Sequence, residues 1–125
     1  MEILVPISLA ELYDKISILQ IKLNKIKDEE KLKNVINEWN LLVEISEKYP
    51  IDDELYVELK KVNIDLWIVE DQLRLKEKND EFDEGFISLA RSVYYHNDER
   101  SRIKREINEK YGSSIIEEKS YEKYE

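Results

Sequence analysis

The chain is predicted to be all-α, an antiparallel four-helix bundle with short extended segments at its N- and C-terminal ends that can pair. Three observations carry this expectation. Apolar residues recur in alternating steps of three and four along most of the 125 residues, the signature of helices that bury one stripe. Only two Gly and two Pro are present, too few for the turns of an all-β or α/β chain. Charged residues make up 39% against 42% hydrophobic, a balance that suits long helices with one wet face. The length fits one domain, residues 1–125.

Each element has its own signal. The first helix is expected from Leu9 to about Lys27, with Leu9, Leu12, Ile16, Leu19, Leu23 and Ile26 as its stripe. In "SLAE", Ser8 can cap it while Glu11 reaches back as the other half of a capping box. The run "KIKDEEK" breaks the pattern. A second helix, near residues 30 to 48, carries Leu32, Val35 or Ile36, Trp39, Leu42 and Val43 and stops before Pro50. Asp52 or Asp53 then caps a third helix, near 53 to 76, with Leu55, Leu59, Val62, Leu66, Val69 and Leu73 in its seam. After "EKNDEFDEG" the fourth, near 83 to 111, holds Phe86, Leu89, Ala90, Val93, Ile103 and Ile107, and Gly112 follows as a left-handed stop. At 1.5 Å per residue it would be about 40 Å long. The two longer helices should therefore project past the shorter pair, and short connections imply antiparallel neighbours.

"ILVPI" and "SSIIEEKSY" lie outside the helices and have the β-branched content of strands that could pair with each other. Residues 119–125 read as a solvated tail.

Composition excludes several function classes. A net charge of −9 and a pI near 4.8 argue against nucleic acid, whose phosphates demand Lys and Arg. Without cysteine, disulfides, thiol catalysis and Cys-bound zinc are excluded, and the expected compartment is the cytoplasm. "MEILVPIS" is too short and acidic for a signal peptide, and no apolar run spans a bilayer, so no membrane partner is expected. There is no P-loop or dinucleotide fingerprint. Ser92 and His96 stand at i,i+4 without a third partner, so no catalytic residue is assigned.

The fourth helix poses the functional question, because its seam turns polar for two turns. Asn97, Arg100 and Lys104 continue the row of Ala90 and Val93, while Arg91, Tyr94, Asp98 and Arg105 form the adjoining row. Beside the third helix's seam stand Trp67, Glu70, Asp71 and Arg74, and the first helix has Glu11 and Asp14 one turn apart. One reading is a solvated face with i,i+4 pairs such as Asp98 with Arg102 and Glu106 with Lys110. The other is a site for an anionic or polyhydroxylated ligand or a hard metal ion. Whether the polar levels coincide depends on the offset of the helices.

The motifs "ISLAELYDKISIL", "LWIVED", "LARSVYYHND", "KREIN" and "EEKSY" together resemble an uncharacterised family of small helical proteins from bacteria and tailed phages, sometimes encoded beside surface-polysaccharide genes. The resemblance covers most of the chain and implies no assigned reaction. It points to Glu11, Asp14, Lys15, Trp67, Glu70, Asp71, Arg91, Tyr94, Asn97 and Asp98, then to Lys104, Asn108, Glu117, Glu118, Lys119 and Tyr121. Ala10 departs from the family's frequent Gly.

The expected ligand site therefore comprises Glu11, Asp14, Lys15, Trp67, Glu70, Asp71, Arg91, Tyr94, Asn97, Asp98, Arg100 and Lys104. It would hold a phosphorylated, sugar-nucleotide or metal-bound small molecule, with a divalent cation at Glu11, Asp14, Glu70, Asp71 or Asp98 as an option. The alternative is a protein-interaction adaptor whose polar cluster is a structural network. Ile21, Leu41, Ile45, Ile64 and Ile68 exceed what one core needs and suggest a homodimer.

Overall fold

The computed structural model describes residues 1–124, which form four helices: α1 (Leu9–Lys25), α2 (Glu29–Ser46), α3 (Asp53–Lys78) and α4 (Glu84–Lys110). Each lies within about two residues of its expected bounds. No strand occurs among the described residues, and no helix is long and apolar enough to cross a membrane. Glu125, the end of the expected tail, lies outside the described residues.

The bundle is organised around α1, which packs on α2, α3 and α4, whereas α2 comes close only to α1. A helix with three neighbours must be covered on more than one face. Accordingly Leu12, Ile16 and Leu19 are buried on one side of α1 and Ala10, Tyr13, Asp14, Ser17 and Ile21 on the other. The core joins Ala10, Leu12, Tyr13 and Ile16 to Leu55, Leu59 and Val62 of α3 and Ile103 and Ile107 of α4, with Trp39, Leu42 and Val43 of α2 against it. Fully covering a residue such as Leu59 contributes about 1.5–3 kcal/mol. On α2 the buried residue is Val35, and Ile36 is exposed.

α3 and α4 have 26 and 27 residues against 17 and 18 for α1 and α2. That difference of nine residues is about 13 Å of helix. The long hairpin therefore extends past its neighbours, and Phe86, Leu89, Ala90 and Val93 near its turn are only half-buried. Asp80 makes that turn at φ 53°, with the Glu81 N–H donating to the Lys76 carbonyl at 2.9 Å, the bond that closes a left-handed helix stop.

The helix ends correct two expectations. Ser8 does cap α1, its hydroxyl accepting from the Glu11 N–H at 3.0 Å. The Glu11 carboxylate does not return the bond; it is drawn to Lys104 at 2.7 Å, because a buried ammonium offers a stronger charge-assisted partner than a backbone amide. Asp52 occupies the cap position of α3 without a side-chain cap bond. Its carboxylate pairs with Lys110 instead, and its N–H donates to the Tyr111 hydroxyl at 2.7 Å.

Two residues from the far end of the chain complete the start of α1. Asn108, buried on α4, accepts from the Ala10 N–H at 2.9 Å, and the Ser113 hydroxyl accepts from the Leu9 N–H at 3.2 Å. These are donors that a helix N-terminus leaves without intrahelical partners. Gly112 at φ 66° turns the chain, and the Ser113 N–H donates to the Asn108 carbonyl at 2.9 Å.

After that turn, residues 113–124 run back along α4, and no backbone bond joins them to the exposed Ile3, Leu4 and Val5 among the described residues. The two end segments thus lie outside the helices but do not pair. Of the apolar residues set aside for self-association, Ile21 belongs to the interior and Ile64 is half-buried, while Leu41, Ile45 and Ile68 are exposed.

Asn108→Ala leaves the buried Ala10 N–H without a partner. It is expected to lower unfolding stability by about 1–3 kcal/mol in chemical denaturation; an unchanged midpoint would show that this cap carries no weight.

Candidate functional site

Three helices bring polar side chains to one level, where the first half of α1 meets the middle of α3 and the C-terminal half of α4. Lys104 Nζ lies 2.7 Å from Glu11 Oε2 and 3.2 Å from Asp14 Oδ2, with the lysine side chain 12% and the aspartate side chain 8% exposed. Like carboxylates one turn apart on α1 repel each other unless a cation sits between them. Lys104 is that cation, and Lys15 stands 3.8 Å from the other Glu11 oxygen.

Asp14 has a second, neutral partner. The Asn63 side-chain amide donates to Asp14 Oδ1 at 2.7 Å and to the Ser17 hydroxyl at 2.8 Å, while Ser17 donates to the Asp14 carbonyl at 2.8 Å. Asn63 Oδ1 accepts from Arg100 Nη1 at 3.1 Å, and Arg100 Nη2 donates to Asn97 Oδ1 at 2.7 Å. Asn63 thereby uses both donor hydrogens and its acceptor. Among the described residues no buried side-chain nitrogen or oxygen lacks a partner.

The two polar rows of α4 separate in space as their spacing predicts. Asn97, Arg100 and Lys104 turn toward α1 and α3. The adjoining row meets residues 113–124: Arg105 Nη1 pairs with Glu118 at 2.8 Å, the Tyr124 hydroxyl donates to Asp98, and the Tyr124 ring lies 5.0 Å from that of Tyr94 and 5.1 Å from that of Tyr95. Beside the Glu118 anchor, Glu117 bonds Lys119 at 2.7 Å. That bond holds its carboxyl below the ordinary glutamate value against partial burial, and the charges of Lys104 and Arg100 act in the same direction.

Not every expected residue joins the cluster. Glu70 pairs with Arg74 at 3.5 Å on an exposed face, Asp71 is exposed and Trp67 is half-buried. Neither acid bonds Arg91 or Arg100: both stand seven or more residues past Asn63, about two turns nearer the hairpin tip than Arg100, and Arg91, exposed near that level, turns to Tyr94. Arg91 donates to the Tyr94 hydroxyl at 3.4 Å and lines an open concavity with Glu84, Ile87, Ser88, Ser92 and Tyr95. A second concavity is lined by Arg102, Arg105, Glu106, Glu109 and Lys110. Neither includes a member of the cluster.

The surface pairs also differ from expectation. Arg102 takes Glu99 and Glu106, at 2.6 and 3.2 Å, in place of Asp98. Lys110 takes Asp52 in place of Glu106. Ser92 donates to the Leu89 carbonyl at 2.6 Å. No group of three His, Cys, Asp or Glu among the described residues is placed to hold a metal ion, and Lys104 already fills the cation position between Glu11 and Asp14.

Sequence reasoning missed Asn63 and Ser17. Asn63 stands four residues after Leu59 and three before Leu66, so it is an amide set into an apolar seam. Ser17 follows Ala10 by seven residues, a small residue on the second buried face of α1.

A helical bundle whose central helix carries two acids neutralised by a buried lysine defines the class of protein. Within that class the chain belongs to the Family of unknown function (DUF6165), whose model matches residues 3–124. No curated protein and no solved structure matches the chain.

Burial pushes the Lys104 ammonium down, yet the Glu11 hydrogen bond and the charges of Asp14 and Glu11 outweigh it and leave its pKa above the ordinary 10.5. A pKa raised on folding stabilises fully below the unfolded value and is lost as pH climbs through the folded one. Tyr56 acts in the same direction: burial, then the neighbouring Tyr13, pushes it up from 10.0 to about 12. Melting temperature should therefore hold up to pH 10 and fall toward about 12. Lys104→Met should cost about 3 kcal/mol at neutral pH and flatten the alkaline fall. A fall of the same size in wild type and variant would dissociate Lys104 from it.

Proposed function

We propose that the chain is a binding module for a small anionic molecule, phosphorylated or of the sugar-nucleotide kind, recognised at Arg100 and Lys104 with Asn97 and Asn63 beside them. The observation that carries this reading is the state of Arg100. Its guanidinium is half-buried and bonds only the neutral amides of Asn63 and Asn97, with no direct ion pair among the described residues. A partly desolvated guanidinium held in place by amides is positioned to receive an oxyanion, and its planar fork suits phosphate or carboxylate. Lys104, one turn on, adds a second positive charge.

A metal-bound ligand finds less support, since the carboxylates face an ammonium. Glu11, Asp14 and Lys15 serve this reading by holding Lys104. Tyr94 and Asp98 serve through the segment that covers α4, and Trp67, Glu70, Asp71 and Arg91 stand apart from it.

One observation favours the adaptor reading: every buried polar side-chain atom among the described residues is already satisfied, which is the condition of a network that only fixes the packing. Leu41, Ile45 and Ile68 are then the residues through which a partner or a second copy would dock.

Thermal shift with pyrophosphate, uridine diphosphate and a uridine diphosphate sugar separates the two. Mass action predicts a melting temperature that rises with ligand concentration, a rise weakened by salt and abolished in Arg100→Ala. If no anion shifts wild type, or if Arg100→Ala shifts equally, the site is not an anion site and the adaptor reading stands.

A further inference from the structure

α3 carries a second apolar row on the side away from the core. Val57, Ile68 and Leu75 are 61%, 42% and 59% exposed, and Ile64 is half-buried. Together with Lys61 and Asp71 they recur in alternating steps of four and three, from Val57 to Leu75. That is the spacing of a coiled-coil seam, here about 27 Å long. At about 100° per residue the row stands across the helix from Leu59, Val62, Leu66 and Val69, which are buried. The helices that pack on α3 are α1 and α4, and they meet its inner side through Leu55, Leu59, Val62 and Asn63.

Two members of the row are charged. Lys61 and Asp71 are both exposed, and neither has a side-chain hydrogen bond or ion pair within the chain among the described residues. Neighbours on their own helix leave them so: Arg74, one turn from Asp71, takes Glu70 instead. The row is also symmetric. Val57 and Leu75, Lys61 and Asp71, and Ile64 and Ile68 stand nine, five and two residues on either side of Leu66. A second α3 laid antiparallel, with a two-fold axis at the level of Leu66, sets Val57 against the partner's Leu75, Ile64 against the partner's Ile68 and Lys61 against the partner's Asp71. Each pair then occurs twice, as an isologous contact requires. Parallel pairing in register would instead set lysine on lysine and aspartate on aspartate, and like charges facing each other across an interface cost several kcal/mol.

We infer that the outer face of α3 is the contact between two copies of this chain, antiparallel about Leu66, with the two Lys61 to Asp71 pairs selecting that arrangement. Apolar layers hold the helices together, and the charged layers fix register and orientation at some cost in stability, as polar residues in a coiled-coil seam do. The anion site is separate from this contact, because Asn63 reaches it from the inner side of α3. Either can fail without the other.

Sedimentation equilibrium of the full chain should show a mass of 15.1 kDa at low concentration that rises to twice this value. Lys61→Glu and Asp71→Lys should each weaken the dimer on the order of a hundredfold, since either sets like charges together. The double exchange should restore it, with helical content in circular dichroism unchanged throughout. The chain has no cysteine, so nitroxides attached through Lys78→Cys report orientation: the antiparallel dimer holds them about 36 Å apart along the helix axis, a parallel one side by side. A mass of 15.1 kDa at every concentration would leave the face to a different partner and overturn the inference. So would a dimer that both single variants retain, a double exchange that fails to restore it, or nitroxides found side by side.

Discussion

The ammonium of Lys104, placed between Glu11 and Asp14, is the interaction on which the rest of the structure depends. α1 must pass through the middle of the bundle because it is the one helix that touches the other three. It does so with two acidic residues on the face turned toward α4. Burying Asp14 beside the half-buried Glu11 without a counter-charge would cost several kcal/mol. Lys104 makes the burial of that face tolerable, and Asn63 takes the remaining Asp14 oxygen. The polar cluster therefore sets how α1 lies on the α3–α4 hairpin, since sliding α1 by one turn would separate Asp14 from both partners at once. Apolar packing in the core that Ile16 and Leu59 share tolerates such a slide better, because hydrophobic burial is not directional.

α4 divides its polar block between two tasks. The inner row of Asn97, Arg100 and Lys104 completes the interior, and the outer row of Tyr94, Asp98 and Arg105 receives the C-terminal segment. This explains why a helix places charged residues where its apolar stripe should continue: the stripe is replaced by a hydrogen-bonded one over the length of α1 contact. It resumes as Ile103 and Ile107, both almost fully covered. Asn108 then closes the start of α1 from the same helix. Within residues 103–108, less than two turns, α4 thus holds α1 by an ion pair, by apolar packing and by a cap.

Much of this was legible in the sequence. Period and stop signals located all four helices, and the split of α4 into two rows followed from 3.6 residues per turn. The levels were not legible. Period tells which face a residue occupies but not how far one helix is offset along another, so Glu70 and Asp71 are grouped with Arg100 in the sequence although they stand toward the hairpin tip. Asn63 escaped notice because one amide among Leu59, Val62 and Leu66 reads as an imperfection in a seam. Glu11 was read through its local capping pattern, whereas a partner 93 residues away took its carboxylate. The C-terminal segment has no period, so its attachment through Glu118 and Tyr124 left no pattern to read.

The central claim is that Asp14 and Lys104 act as one unit that fixes α1 in place. A double-mutant cycle with Asp14→Ala, Lys104→Ala and the double variant, read by chemical denaturation, tests it most directly. Lys104→Ala strands the buried Asp14 carboxylate, and Asp14→Ala removes one of the two acids that hold Lys104, so the double variant should be more stable than the sum of the two losses predicts, by about 1.5 kcal/mol or more. Losses that simply add, to within about 0.5 kcal/mol, would contradict the claim and reduce the cluster to a set of independent contacts.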